Sequence, residues 1–188
     1  MFRSFVHKLF SRGATVPAYG VEGAIAQGPQ PHGPSSGQPH LRAFIALVLS
    51  PLGPRSVALV TRHVVEGMRP GEGVVAALTR GFDDAVEEIP ASVHLSLSHS
   101  DTAEVTWQVD RAMASLGSFA RWDGPADERA ALPAVLAEAG AWLHRKGFAL
   151  LDIATGTDDC FAVVVPTAER KEAIAAATRA GMAMATRA

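Results

Sequence analysis

The sequence predicts an α+β domain: a small antiparallel sheet with strands near 92–98, 148–153 and 160–165, packed with several helices and preceded by a disordered tether. Three observations lead there. Residues 92–98 (SVHLSLS) alternate polar and apolar with a period of two, as a strand with one buried face does. Residues 148–153 (FALLDI) and 160–165 (CFAVVV) are apolar runs joined by Ala154-Thr155-Gly156-Thr157-Asp158-Asp159, a connection that fits a hairpin. The remaining apolar residues mostly recur three and four apart, the spacing of one helix face.

Taken in order, Phe2, Phe5, Val6, Leu9 and Phe10 share a helical face, with Arg3, Lys8 and Arg12 on the rest. This predicts a basic amphipathic helix over 1–12. Residues 13–40 are rich in Gly, Pro, Ser and Gln. Such a stretch cannot bury enough apolar area to offset the entropy of ordering it, so a flexible linker is expected there. A single α+β domain then occupies 41–188. Leu41 to Leu49 suits a helix or a strand and is read as a helix. Pro54 opens the next helix, which carries Val57, Val60, Val64 and Met68. A further helix from about Gly73 to Glu87 places Val74, Val75, Leu78, Phe82 and Val86 on one side.

In the first strand Val93, Leu95 and Leu97 are expected to face inward while His94, Ser96 and Ser98 face solvent. Asp101 and Glu104 then have the spacing of a capping box, opening a helix with Val105, Val109, Met113 and Leu116 that Gly117 stops. Asp127 is placed to cap a helix with Leu132, Val135, Leu136, Ala139 and Leu143, in which Pro133 marks a bend or a restart. His144-Arg145-Lys146-Gly147 ends it, with cations at the negative end of the helix dipole. Val163-Val164-Val165 is apolar on both faces, which predicts a central strand. Pro166-Thr167 opens an alanine-rich terminal helix through Gly181.

Composition narrows the function. Seventeen Lys and Arg against 19 Asp and Glu leave a formal charge of −2 over 188 residues, with no basic stripe. That argues against a nucleic-acid partner, which phosphate neutralisation would reveal as a basic excess. Cys160 is the only cysteine, so neither an intramolecular disulfide nor a cysteine-built metal site is expected, in keeping with a reducing, cytoplasmic location. No run reaches the ~18 apolar residues of a membrane span. Arg3, His7 and Lys8 interrupt the leader, so no secretory signal is expected.

Chemistry is sparse. Asp152, Asp158 and Asp159, with Thr155 and Thr157, could gather around a cation, but they lack a regular ligand spacing and read as a turn and its rims. His94 and His99, among Ser96, Ser98, Ser100 and Asp101, hold the residue types of a nucleophile, a base and an orienting carboxylate. They lack a Gly-x-Ser-x-Gly elbow, and strand alternation accounts for the serines. Gly71-Glu72-Gly73-Val74-Val75-Ala76 imitates a dinucleotide fingerprint but follows a helix rather than a strand. Cys160 reads as a small buried hydrophobe. Asp83, Asp84, Glu87 and Glu88 form an acidic helix end that would attract a basic partner.

Glu104-Val105-Thr106-Trp107-Gln108-Val109, then Gly147 through Asp159, then Val163-Val164-Val165-Pro166 resemble a bacterial family catalogued only as a domain of unknown function. The resemblance spans about residues 41–182, and its sharpest part is the Asp-Ile-x-Thr-Gly-x-Asp hairpin. The chain departs from that pattern at Cys160, near which the family often has an aromatic. The opening Met1-Phe2-Arg3 to Leu9-Phe10-Ser11-Arg12 is similar to short basic starts of small bacterial proteins. The resemblance implies no catalytic residue; in architecture the chain is similar to small α+β proteins encoded beside toxin and secretion genes, immunity proteins among them.

The expected function is therefore a non-enzymatic protein-binding module, an immunity-type protein that blocks a toxin being one form of it. His94, Ser96, Ser98, Asp152, Thr155, Thr157, Asp158 and Asp159 are its candidate binding residues. One alternative is a small metal-dependent hydrolase using Asp152, Asp158, His94 and His99. Another is a membrane-peripheral adaptor held to an anionic surface through Phe2, Arg3, Phe5, Val6, Lys8, Leu9 and Phe10. No cofactor is expected.

Overall fold

The computed structural model describes residues 37–89, 91–98, 102–127 and 129–185, with the side chains of 102 and 103 left aside. All of them belong to one unit, His32–Ala188. The expected N-terminal helix and most of the expected linker lie outside the described residues. The linker's last residues do not: α1 runs Gln38–Leu49, so residues 38–40 are helical, with Pro39 in the first turn where its missing N–H costs nothing.

A 3₁₀ turn (Ser50–Leu52) leads to α2 (Pro54–Thr61), which continues as a π-helical turn (Arg62–Glu66). Then come α3 (Val74–Val86), β1 (His94–Leu97), α4 (Thr102–Ser115), α5 (Leu132–Arg145), β2 (Phe148–Ile153) and β3 (Cys160–Pro166). A 3₁₀ turn (Thr167–Glu169) precedes α6 (Arg170–Arg179). The sheet is antiparallel throughout, in the order β1-β3-β2, with His94 opposite Val163 and Leu151 opposite Val163 from the other side. The fold is α+β, as the patterning predicts.

The central strand decides the layering. β3 is buried on both faces from Cys160 to Val165. Phe161, Val163 and Val165 pack with α1, α2, α3, α6 and the π-helical turn, around Phe44, Ile45, Val64, Leu78 and Phe82. Cys160, Ala162 and Val164 pack with α4 and α5, around Val105, Val109, Met113, Leu136 and Leu143. The sheet is thus a middle layer with a core on each side. Fully burying each of these Val, Leu, Ile and Phe side chains is worth about 1.5–3 kcal/mol, so two such clusters supply the main driving force for folding.

This layering corrects one expectation. β1 does not turn a polar face to water: His94 is 8% exposed and lies on the α3 side of the sheet, with Ser96 half-buried beside it and only Ser98 exposed. Alternation holds for Leu95 and Leu97, which face α4 and α5, whereas Val93, expected on the same face, packs into the core with Phe82 and Phe161. The face opposite Leu95 and Leu97 is covered by α3, and its polar groups are accepted there because they find partners.

Three smaller expectations also change. Asp127 does not cap α5; its Oδ1 accepts from the Arg129 N–H at 2.9 Å and closes a local turn. The N-cap is Ala131, and Pro133 sits inside the first turn of α5, so it starts the helix rather than bending it. Asp101 lies outside the described residues, and Glu104 accepts from Gln108 Nε2 at 2.8 Å. The alanine-rich helix ends at Arg179, before Gly181 with φ +86°. The chain then returns along β2: Ala154 N–H donates to Ala183 C=O and Ala185 N–H to Asp152 C=O, both at 2.9 Å.

Candidate functional site

α3 lies across one end of the sheet, and its outer turn faces the β2–β3 loop across an open cleft of about 730 Å³. Thr79, Arg80, Asp83 and Asp84 form the α3 wall; Ser96 and Ser98 form the floor; Thr155, Thr157 and Asp159 form the opposite wall. Three features that lie far apart in sequence meet there: the acidic helix end, the polar side of the first strand and the hairpin tip.

The hairpin tip is shaped by its own side chains. Thr155 Oγ1 donates to Asp159 C=O at 2.8 Å, and Thr157 Oγ1 donates to the Asp159 carboxylate at 3.1 Å. Gly156, at φ +78°, supplies the left-handed step between the two threonines that a residue with a Cβ rarely adopts. The Asp and Thr residues therefore build the turn, and the turn presents them to the cleft.

The other candidates are divided. Asp158 is exposed and does not line the cleft. Asp152 is half-buried on the α4–α5 side of the sheet, where the Cys160 thiol points at its Oδ1 from 3.9 Å. Asp152, Asp158 and Asp159 are thus not brought to one point. Among the described residues no group of three or more His, Cys, Asp and Glu is placed to hold a metal ion. Cys160 is buried, as the small hydrophobe the sequence predicts.

His94 bridges α3 and the sheet. Its ring meets Phe82 edge-on at 5.2 Å between centroids and stacks on Phe161 at 5.8 Å. Its Nδ1 lies 3.1 Å from Ser92 Oγ and its Nε2 lies 3.3 Å from Asp83 Oδ1. Serine, histidine and aspartate in a chain invite comparison with a hydrolytic triad. Ser92, however, is 4% exposed, and its Oγ is also 3.4 Å from both the His94 N and the His94 O. A hydroxyl so enclosed cannot reach a substrate carbonyl. The chain of contacts fixes the ring against α3, and Asp83 emerges half-exposed into the cleft.

Arg80 is held just as firmly. Its Nε and one terminal nitrogen donate to both Glu72 oxygens at 2.9 Å, and it also reaches Gly67 C=O and Asp84. These charge-assisted bonds to Arg80, joined by the Arg69 N–H, hold the Glu72 carboxyl down to about 2 from an ordinary 4.5. A carboxyl depressed in this way adds stability above its unfolded value and loses it as pH falls toward the folded one. Glu72→Gln should therefore be less stable than the parent at neutral pH, with the gap closing between pH 4.5 and about 2. Urea midpoints across that range check this; a gap that stays constant with pH would remove the Glu72–Arg80 pair as its source.

With Arg80 neutralised by Glu72, the cleft keeps an acidic balance from Asp83, Asp84 and Asp159. The acidic helix end is partly spent on structure, since Glu88 accepts from Arg62 and lies 2.8 Å from His63 Nε2, which hold its carboxyl below the usual range. Beside the cleft, a smaller one of about 290 Å³ runs past His94 to Trp107 and Arg111 on α4. Trp107 is 57% exposed, with the Arg111 guanidinium 5.3 Å from its ring centroid.

Sequence reasoning missed Gln108. Its side-chain amide takes both outward backbone groups of Ser96, accepting from the N–H at 2.8 Å and donating to the C=O at 2.9 Å. One signal was present: Gln108 is a polar residue on the helix face of Val105, Val109 and Ala112.

No curated protein and no solved structure matches the chain. A family described as a domain of unknown function, DUF6630, matches residues 73–187, from the residue before α3 to beyond the strand-like return along β2. That span holds the whole sheet and both walls of the cleft and is more than half of the sequence, and the chain belongs to this family.

Proposed function

We propose that the chain is a non-enzymatic protein-binding module that receives a basic segment of its partner in the cleft between α3 and the hairpin tip. The observation that carries this reading is the convergence of Asp83, Asp84 and Asp159 on a cleft of about 730 Å³ in which Arg80, the one Lys or Arg among the described lining residues, is already paired. Complementary charge of this kind steers encounter and rejects acidic competitors more than it adds raw affinity. The enclosure of Ser92 favours binding over hydrolysis.

In its sharper form the reading makes the chain an immunity-type protein that covers a toxin's active site. Co-expression with the product of the adjacent gene tests that form directly: relief of lethality supports it, and unrelieved lethality removes it. The broader reading is tested with a labelled peptide alternating arginine and serine. Binding that weakens with salt and falls roughly tenfold or more in Asp83→Lys/Asp84→Lys is expected, because two attractive charges become repulsive. Equal binding to parent and variant, or to an acidic peptide, would sink it.

A further inference from the structure

The two edges of the sheet are finished differently. Val164 N–H donates to Val93 C=O at 2.8 Å, which fixes the alternation of the ladder: residues 94 and 96 of β1, and 148, 150 and 152 of β2, turn their backbone groups away from β3. On β1 the Gln108 amide occupies the edge at Ser96. On β2, among the described residues, the returning chain occupies it around Ile153, which pairs with Met184. Further along that edge, the N–H and C=O of Leu150 point outward with no backbone partner among the described residues.

A groove of about 570 Å³ opens there, between α5 and the start of α6. His144 stands on one side, Arg170 and Lys171 on the other, with Leu150 at the base. Arg170 and Lys171 are exposed, and neither has an ion-pair partner among the described residues. Thr167, which also lines the groove, has its Oγ1 buried with no hydrogen-bond partner among the described residues.

We propose that this groove takes an extended acidic segment of a partner protein, which adds to β2 as a new edge strand. Its backbone would pair with Leu150, and its carboxylates would face Arg170, Lys171 and His144. The strand-like pairing at Met184 is the precedent on the same edge, and main-chain pairing supplies affinity while flanking side chains supply selectivity. Residues 186–188 of the chain itself, which lie outside the described residues, are the rival occupant that the deletion below separates. This site lies on the edge remote from β1 and takes the opposite charge to the cleft at α3, so the two readings stand or fall separately.

The test uses the full chain and two fluorescein-labelled hexapeptides, one alternating glutamate and threonine, the other lysine and threonine. The glutamate peptide should bind, weaken with salt, and slow exchange of the Leu150 amide. Arg170→Glu/Lys171→Glu should lower its affinity roughly tenfold or more through charge reversal at exposed positions that leave the core untouched. Equal binding of the lysine peptide would overturn the proposal, as would binding unaffected by the double variant. So would a Leu150 amide that is already protected in the free chain and loses that protection when residues 186–188 are deleted. The exchange measurement on the parent keeps the question decidable should the double variant misfold.

Discussion

Gly81→Ala should destabilise the protein by roughly 2 kcal/mol or more, although alanine is the better helix former by about 1 kcal/mol. Gly81 lies inside α3, where the helix crosses the π-helical turn after α2. A Cβ built on it would come within 2.8 Å of Val64 N and 2.9 Å of Val64 Cα. Those are backbone atoms of a buried residue, so no rotamer change relieves the overlap; the two segments must separate. Overpacking of this kind costs typically about 1–3 kcal/mol, and more when main chain must move. The clash therefore outweighs the propensity gain.

Gly140→Ala is the matched comparison. It is also a mid-helix glycine, in α5, but its Cβ would meet only Leu150 Cβ, at 3.8 Å, an ordinary contact. With no clash to offset it, propensity should win and stabilise by up to about 1 kcal/mol. For a chain of this size the first change should lower the melting midpoint by roughly 4–8 °C and the second raise it by roughly 2–4 °C. Thermal melts of the pair decide the matter. If Gly81→Ala melts at or above the parent, α3 does not approach Val64 as closely as described.

What the sequence made legible was set by how local the cause was. The hairpin strands could be read at 148–153 and 160–165 because two apolar runs flank a loop rich in Gly, Thr and Asp; β2 is Phe148–Ile153 and β3 Cys160–Pro166. The central place of β3 followed from Val163 to Val165 being apolar on both faces. His94 was placed outward because alternation reports which residues share a face, not whether the second face is covered. Its burial depends on Phe82, Asp83 and Ser92, and that Phe82 and Asp83 arrive across from it is a fact of packing. The site followed the same rule. Its threonines, aspartates and serines were individually visible, whereas their meeting in one cleft required the angle at which α3 crosses the sheet. Asp152 and Asp158 fell away because strand parity and loop geometry point them elsewhere.

Gln108→Leu should remove roughly 2–4 kcal/mol of stability, which is large for a single residue on a helix beside an edge strand. Leucine preserves the volume and the apolar contacts with α4's neighbours, so no cavity term is expected. What disappears is the pair of bonds to Ser96 N–H and C=O, together with the link to Glu104. Gln108 is 8% exposed, so the isobutyl group that replaces its amide also keeps water from the two stranded backbone groups. A buried donor or acceptor left without a partner costs about 1–3 kcal/mol, and here there is one of each. Gln108→Ala makes the informative contrast: it opens room for water to reach Ser96 and should be the less damaging of the two despite its smaller side chain. Denaturation midpoints and Ser96 amide exchange together test this. A leucine variant with parental stability and a still-protected Ser96 amide would mean that the Gln108 amide does not close the edge of β1.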